Sequence, residues 1–159
     1  MWRRYRDLVV DDDVQVLSRL DALFRTDPTA RGVGARLVSW GHGDAVVSAE
    51  VTEQQTNFMG VTHGGVIFTI ADIAMSVASN SFGRVALAVR LDISYLRGTR
   101  PGDQLIATAT TTHTSRRFGH HRLDLTRGDE LVAQASGTTY RTDEWHFGQQ
   151  SWPADWPHD

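Results

Sequence analysis

The chain has 159 residues, 40% of them hydrophobic, which suits one domain with a sizeable core. A formal net charge of -3 argues against a general nucleic-acid binder, and the absence of cysteine excludes disulfides and thiol chemistry. No apolar leader follows the Arg-rich opening MWRRYR, so a cytoplasmic enzyme is the expectation. All 16 basic residues are Arg, a bias that genomic base composition explains, although Arg also suits bidentate phosphate contacts.

Asp13 can cap a first helix in which Val14, Leu17, Leu20, Leu23 and Phe24 recur at spacings of three and four, until Asp27-Pro28 ends it. The spacing predicts an amphipathic covering helix. Residues 36–40 and 44–51 then read as two strands of a β-hairpin joined at Gly41-His42-Gly43.

The stretch from Asn57 to Asn80, NFMGVTHGGVIFTIADIAMSVASN, carries almost no charge except Asp72. After His63-Gly64-Gly65 its apolar positions point all round a helical wheel, which predicts a helix wrapped by other structure. The run is too short and too rich in small and polar residues to span a membrane. An unpaired carboxylate in such surroundings is costly, so Asp72 has either a task or a hydrogen-bonding partner in an ordinary core helix.

Beyond it, residues 84–96 alternate as a strand and residues 97–103 supply a dense turn signal. Residues 104–114 set Leu105, Ala107 and Ala109 against Ile106, Thr108 and Thr110, and residues 115–119 turn again. Two further strands, 120–126 and 131–141, hinge at Arg127-Gly128-Asp129-Glu130. From Asp143 to Asp159 no period survives. One domain over residues 1–142 is therefore expected, with a tail over 143–159 that runs irregularly across the surface. The tail's Trp145, Trp152 and Trp156 are then available to a neighbouring subunit.

Hairpin, long buried helix and antiparallel meander make an α+β chain. The order resembles the hotdog fold, a curved antiparallel β-sheet wrapped around one long central helix. His63-Gly64-Gly65, then six residues, then Asp72, with Asn57 before and Ser79-Asn80-Ser81 after, is similar to the PaaI-like acyl-CoA thioesterases. These include the phenylacetyl-CoA thioesterases of phenylacetate degradation. The similarity runs from Asn57 to Tyr140 and takes in Pro101-Gly102-Asp103-Gln104-Leu105 and Val132-Ala133-Gln134-Ala135-Ser136-Gly137.

The resemblance implies hydrolysis of an acyl-CoA thioester, phenylacetyl-CoA or a related aryl-acyl-CoA being favoured. Asp72 matches the catalytic carboxylate, attacking directly or orienting a water. Gly64 matches the glycine whose N–H meets the thioester oxygen, at a helix start that adds free N–H groups and the positive dipole end. Asn57 matches the partner that holds water or thioester, and His63 the histidine that orients the site. As residues alone, Asn57 also reads as a turn Asn and His63 as a cap. Gly65 and Phe68 are candidate substrate contacts, and Phe58, Phe68 and Met75 can line an apolar pocket or simply pack the core. Arg116 and Arg117 are candidates for the CoA phosphates, solvated charge being the alternative. One departure is the hydroxyl that some relatives carry near Ala88, where this chain reads Ala86-Leu87-Ala88-Val89.

No cofactor is implied. No metal is expected at His113, His120 and His121, since consecutive strand residues face opposite sides. The expected partners are the acyl-CoA substrate and further copies of the chain, as a homodimer or a dimer of dimers, with no nucleic acid and no membrane. Two other readings are a hotdog dehydratase acting on hydroxyacyl thioesters, which needs a His and a carboxylate as acid and base, and a non-catalytic acyl-CoA-binding protein. The thioesterase spacing around Asp72 counts against both.

Overall fold

In the computed structural model residues 11–157 are described, with side chains from Gln15 onward. The Arg-rich opening lies outside the described residues, and the first helix runs from Asp11, so Asp13 lies inside the helix rather than capping it. The elements are α1 (Asp11–Phe24), α2 (Pro28–Gly32), β1 (Ala35–Gly41), β2 (Asp44–Glu50), α3 (Gly64–Asn80), β3 (Arg84–Tyr95), β4 (Gln104–Thr114), β5 (Phe118–Arg127) and β6 (Glu130–Trp145). All six strands form one antiparallel sheet in the order β1-β2-β4-β5-β6-β3. The helix α3 lies across it and touches every strand. This is the expected α+β hotdog architecture.

The face of the sheet turned to α3 is built from small residues. Ala45, Val47 and Ala49 on β2, Leu105, Ala107 and Ala109 on β4, and Ala133 and Ala135 on β6 are all buried against Ile67, Ile70, Ala71, Ala74, Met75 and Ala78. Short side chains let backbone approach backbone. At Gly137 the approach is closest, and an added Cβ would lie 2.1 Å from the Met75 sulfur. Of the two readings open for Met75, pocket lining or core packing, the structure shows the second: it is fully buried core.

Three elements differ from the expectation. Asp27-Pro28 ends α1 as read, but Pro28 also opens α2, with Asp27 as its cap. Strand β6 continues to Trp145 because Arg84 pairs with Trp145 and Ala86 with Arg141. The Trp-rich tail packs on its own chain: Trp152 and Trp156 are buried with Val16 and Leu20 in a second core, so those two tryptophans are not left for a neighbour. No helix among the described residues is long and apolar enough to cross a membrane.

Two strands stand at the sheet edges, β1 and β3. Strand β3 is 12 residues long and exposes Leu87 (58%), Val89 (57%) and Tyr95. A long apolar edge with unpaired backbone groups is a template for another strand.

His120 and His121 face opposite sides, as their adjacency requires. His121 is buried between Thr111 and Thr139, whose hydroxyls meet its two ring nitrogens at 3.0 Å each. Burial, with a smaller contribution from His120, pushes its pKa down to about 4. Between there and 6.5 the unfolded chain binds the proton and the folded chain does not, so stability falls as pH falls through that window. A depression of that size corresponds to about 3 kcal/mol. We expect His121→Gln to remove that part of the pH dependence, read as the difference between wild-type and variant denaturation midpoints at pH 7 and pH 4.

Candidate active site

The chain enters α3 through a tight loop. Thr56 and Thr62 pair across its neck, Asn57 N–H donates to Val61 O at 2.8 Å, and Gly60 N–H donates to Asn57 O at 3.0 Å. Gly60 sits at φ 73, a region glycine enters without strain. The Met59 N–H donates to Asn57 Oδ1 at 2.8 Å, which leaves the amide NH2 as the end of Asn57 open to a ligand. At the tip, Phe58 is 96% and Met59 66% exposed.

His63 caps α3. Its Nδ1 accepts the Gly65 N–H at 3.0 Å and its carbonyl accepts the Val66 N–H at 2.9 Å. A ring that accepts at Nδ1 carries its proton on Nε2 when neutral. Of the first helical donors this leaves the Gly64 N–H, at the positive end of the helix dipole. The Tyr95 hydroxyl donates to Gly64 O at 3.0 Å, and a Cβ at Gly64 would come within 3.2 Å of the tyrosine. A side chain at position 64 would therefore crowd this ring.

Asp72 lies eight residues further along α3, about 12 Å at 1.5 Å per residue. The expectation that α3 is wrapped all round is corrected here: Gly65, Thr69, Asp72 and Ser76 recur at three and four and form a stripe that no described element seals. Asp72 is half-buried and makes no hydrogen bond or ion pair with any described residue. Burial raises its pKa above the ordinary carboxylate value, and the Asp27 carboxylate pushes the same way. Asp27 is held as the α2 cap by the Thr29 and Ala30 N–H groups.

A groove of about 330 Å³ opens beside this stripe, between the end of α1, the second half of α3 and the start of β3. Leu23, Phe24, Ile73, Val85 and Leu87 make it apolar, and Asp27 and Ser76 lie on its wall near Asp72. The two arginines are at this end of the molecule. Arg117 is held by both carboxylate oxygens of Asp143 at 2.8 Å, whereas Arg116 is exposed. The Arg116 carbonyl accepts from Arg84, at the first residue of β3.

The thioesterase superfamily profile matches residues 59–134. An Archaeoglobus fulgidus protein described as a putative esterase is 32% identical over 132 residues, 82% of this chain and 86% of its own. The Escherichia coli acyl-coenzyme A thioesterase PaaI is 34% identical over 121 residues, 76% of this chain and 86% of its own. The chain belongs to the PaaI-like thioesterases. The solved structure of E. coli PaaI matches this thioesterase with a TM-score of 0.78 at 30% identity, over 84% of this chain and 97% of that one. A Streptococcus mutans structure bound to acetyl CoA matches with a TM-score of 0.68 at 29% identity, over 70% and 91%.

Within the chain of this thioesterase, Asn57, His63, Gly64 and Gly65 come together at the start of α3, while Asp72 stands apart and Arg116 and Arg117 lie at the far end. Phe68 is half-buried near the helix start. Tyr95 and Asp27 were not legible as site neighbours, because only the packing of β3 and α2 brings them to α3. A carboxylate whose folded pKa is raised stabilises the fold below the unfolded pKa and opposes it once pH rises through the folded value. Asp72→Asn should therefore raise Tm at pH 7 and leave it near wild type at pH 3. Equal Tm at pH 7 would show that the charge costs the fold nothing.

Proposed function

We propose that this thioesterase hydrolyses acyl-CoA thioesters, an aryl-acetyl group such as phenylacetyl being the favoured acyl part, at a site shared by two copies. The observation that carries the reading is the separation on α3. Gly64 offers the free N–H and Asp72 the base, but about 12 Å of one helix keeps them from meeting one carbonyl in one chain. A second copy closes the gap. Antiparallel self-pairing of the edge strand β3 about its middle sets Tyr95, and with it Gly64, opposite Arg84 of the partner. Asp72, the groove and Arg116 are on that Arg84 side.

In the proposed dimer the thioester carbonyl oxygen takes the Gly64 N–H of one protomer, with the Asn57 amide beside it. Asp72 of the other protomer accepts a proton from water, whose oxygen bonds to the carbonyl carbon. The resulting oxyanion is held by donors already in place. Collapse breaks the C–S bond, and the thiolate leaves to take a proton as free CoA. Direct attack by the Asp72 carboxylate would give an anhydride that water opens to the same products. A raised pKa suits proton acceptance, since it brings the base closer to working pH.

His63 serves as the cap that shapes the helix start, and its Nδ1 is spent on Gly65. That weakens the dehydratase reading, which needs a free imidazole as base. Arg116 is the arginine left for a CoA phosphate, Arg117 being tied to Asp143. No cofactor enters, and a dimer of dimers would keep the same shared site.

Two measurements test this. Mixing inactive Asn57→Ala and Asp72→Ala chains by unfolding and refolding should make about half the dimers mixed, each with one intact site, and return activity to roughly a quarter of wild type. A mixture with proven heterodimers and no activity would place both residues in one chain's site. Separately, Arg116→Ala should raise KM for CoA thioesters several-fold with little change in kcat, because a distant phosphate contact gives uniform binding. The same loss on a phosphate-free thioester would remove Arg116 from the CoA site.

A further inference from the structure

The most exposed large apolar side chains among the described residues are Phe58 and Met59. Their loop cannot fold them away, because its neck bridge, its Asn57 side-chain bond and the Gly60 turn hold the tip outward. A rigidly presented apolar knob of this size is a contact surface. The molecule also carries a matching hole, the apolar groove of Leu23, Phe24, Ile73, Val85 and Leu87 beside Asp72. Knob and hole cannot meet within one chain, since one precedes the first turn of α3 and the other follows its second half.

We propose that Phe58 of one protomer, with Met59 beside it, covers the groove of its partner and forms the lid of the acyl pocket next to the partner's Asp72. The inference rests on the shared-site reading above and adds to it the wall that meets the acyl group. Continuity supports it. If Asn57 reaches the thioester at the partner's Asp72, the next residue falls on the groove that opens there. The strand geometry agrees, because pairing β3 about its middle lays the Gly64 end of one copy over Val85 and Leu87 of the other. Leu87 belongs both to that edge and to the groove wall. Phe58 would then set how bulky an acyl group fits, while Asp72 and Gly64 do the chemistry.

The chain has no cysteine, so single cysteines report contacts without background. Phe58→Cys chains and Thr26→Cys chains, Thr26 being on the groove rim, are refolded together and treated with a short dithiol-reactive cross-linker. A cross-linked dimer should form in the mixture and not with either chain alone. No cross-link in the mixture, or closure inside a chain carrying both cysteines, overturns the proposal. Kinetics give the second reading. Phe58→Ala should lower the ratio of kcat/KM for phenylacetyl-CoA to that for acetyl-CoA by about tenfold, as loss of one large apolar contact predicts. An unchanged ratio overturns the lid. Should the wild-type chain hydrolyse no CoA thioester, the substrate reading fails by itself, and the cross-link still decides the docking.

Discussion

The rest of the structure is arranged around a carboxylate with no partner halfway along an apolar helix. Asp72 is half-buried, has no cation or hydrogen-bond donor against it among the described residues, and lies within the field of Asp27. A fold selected for stability alone would pair or replace it. The sheet packs its alanine-rich strands on the apolar residues of α3 and leaves the Gly65, Thr69, Asp72 and Ser76 stripe open. What the carboxylate loses in solvation it gains in basicity.

The same helix separates two functions that hydrolysis of a thioester must bring together. Its start gathers donors, with His63 taking the Gly65 N–H and Gly64 left free, and its middle carries Asp72, the base of the proposed reaction. Because a helix is stiff, no loop motion in one protomer can join them. In the proposed reading a second copy closes that gap by pairing along β3, which stands at the edge of the sheet. Activity and assembly are therefore coupled in this reading, and a defect at Leu87 or Val89 reaches the site as surely as one at Gly64.

Much of this was written locally. The helix, its cap and Asp72 follow from residues 57–80 because a long apolar run, a capping His and a lone acid need no long-range information. The strands of the meander followed from alternation, and of the two alternating sets on β4 it is Leu105, Ala107 and Ala109 that face α3. What failed depended on tertiary contacts. Met75 read equally as lining or core until Gly137 was seen against its sulfur. The Asp143 partner of Arg117, a candidate for a CoA phosphate, was likewise not legible, since it depends on β6 running on to Trp145. The open stripe on α3 was hidden because Gly, Thr and Ser among apolar neighbours look small rather than exposed.

The packing of the tail's tryptophans was hidden for the same reason, and its actual place ties it to the groove beside Asp72. Trp152 packs on Gly83, where any Cβ would lie 2.8 Å from the ring, and its indole N–H donates to His146 O. His146 in turn reaches Asn80, the last residue of α3, at 2.8 Å. Asn80 Oδ1 also accepts the Ala86 N–H, so that oxygen is fixed as an acceptor and His146 must donate from Nε2. Burial lowers the His146 pKa and so favours the neutral ring. Asn80 then donates to Ala86 O and Ser76 O. These bonds tie the end of α3 to the start of β3, the two walls of the groove beside Asp72. The irregular, proline-bearing tail thus holds the groove's walls at a fixed spacing.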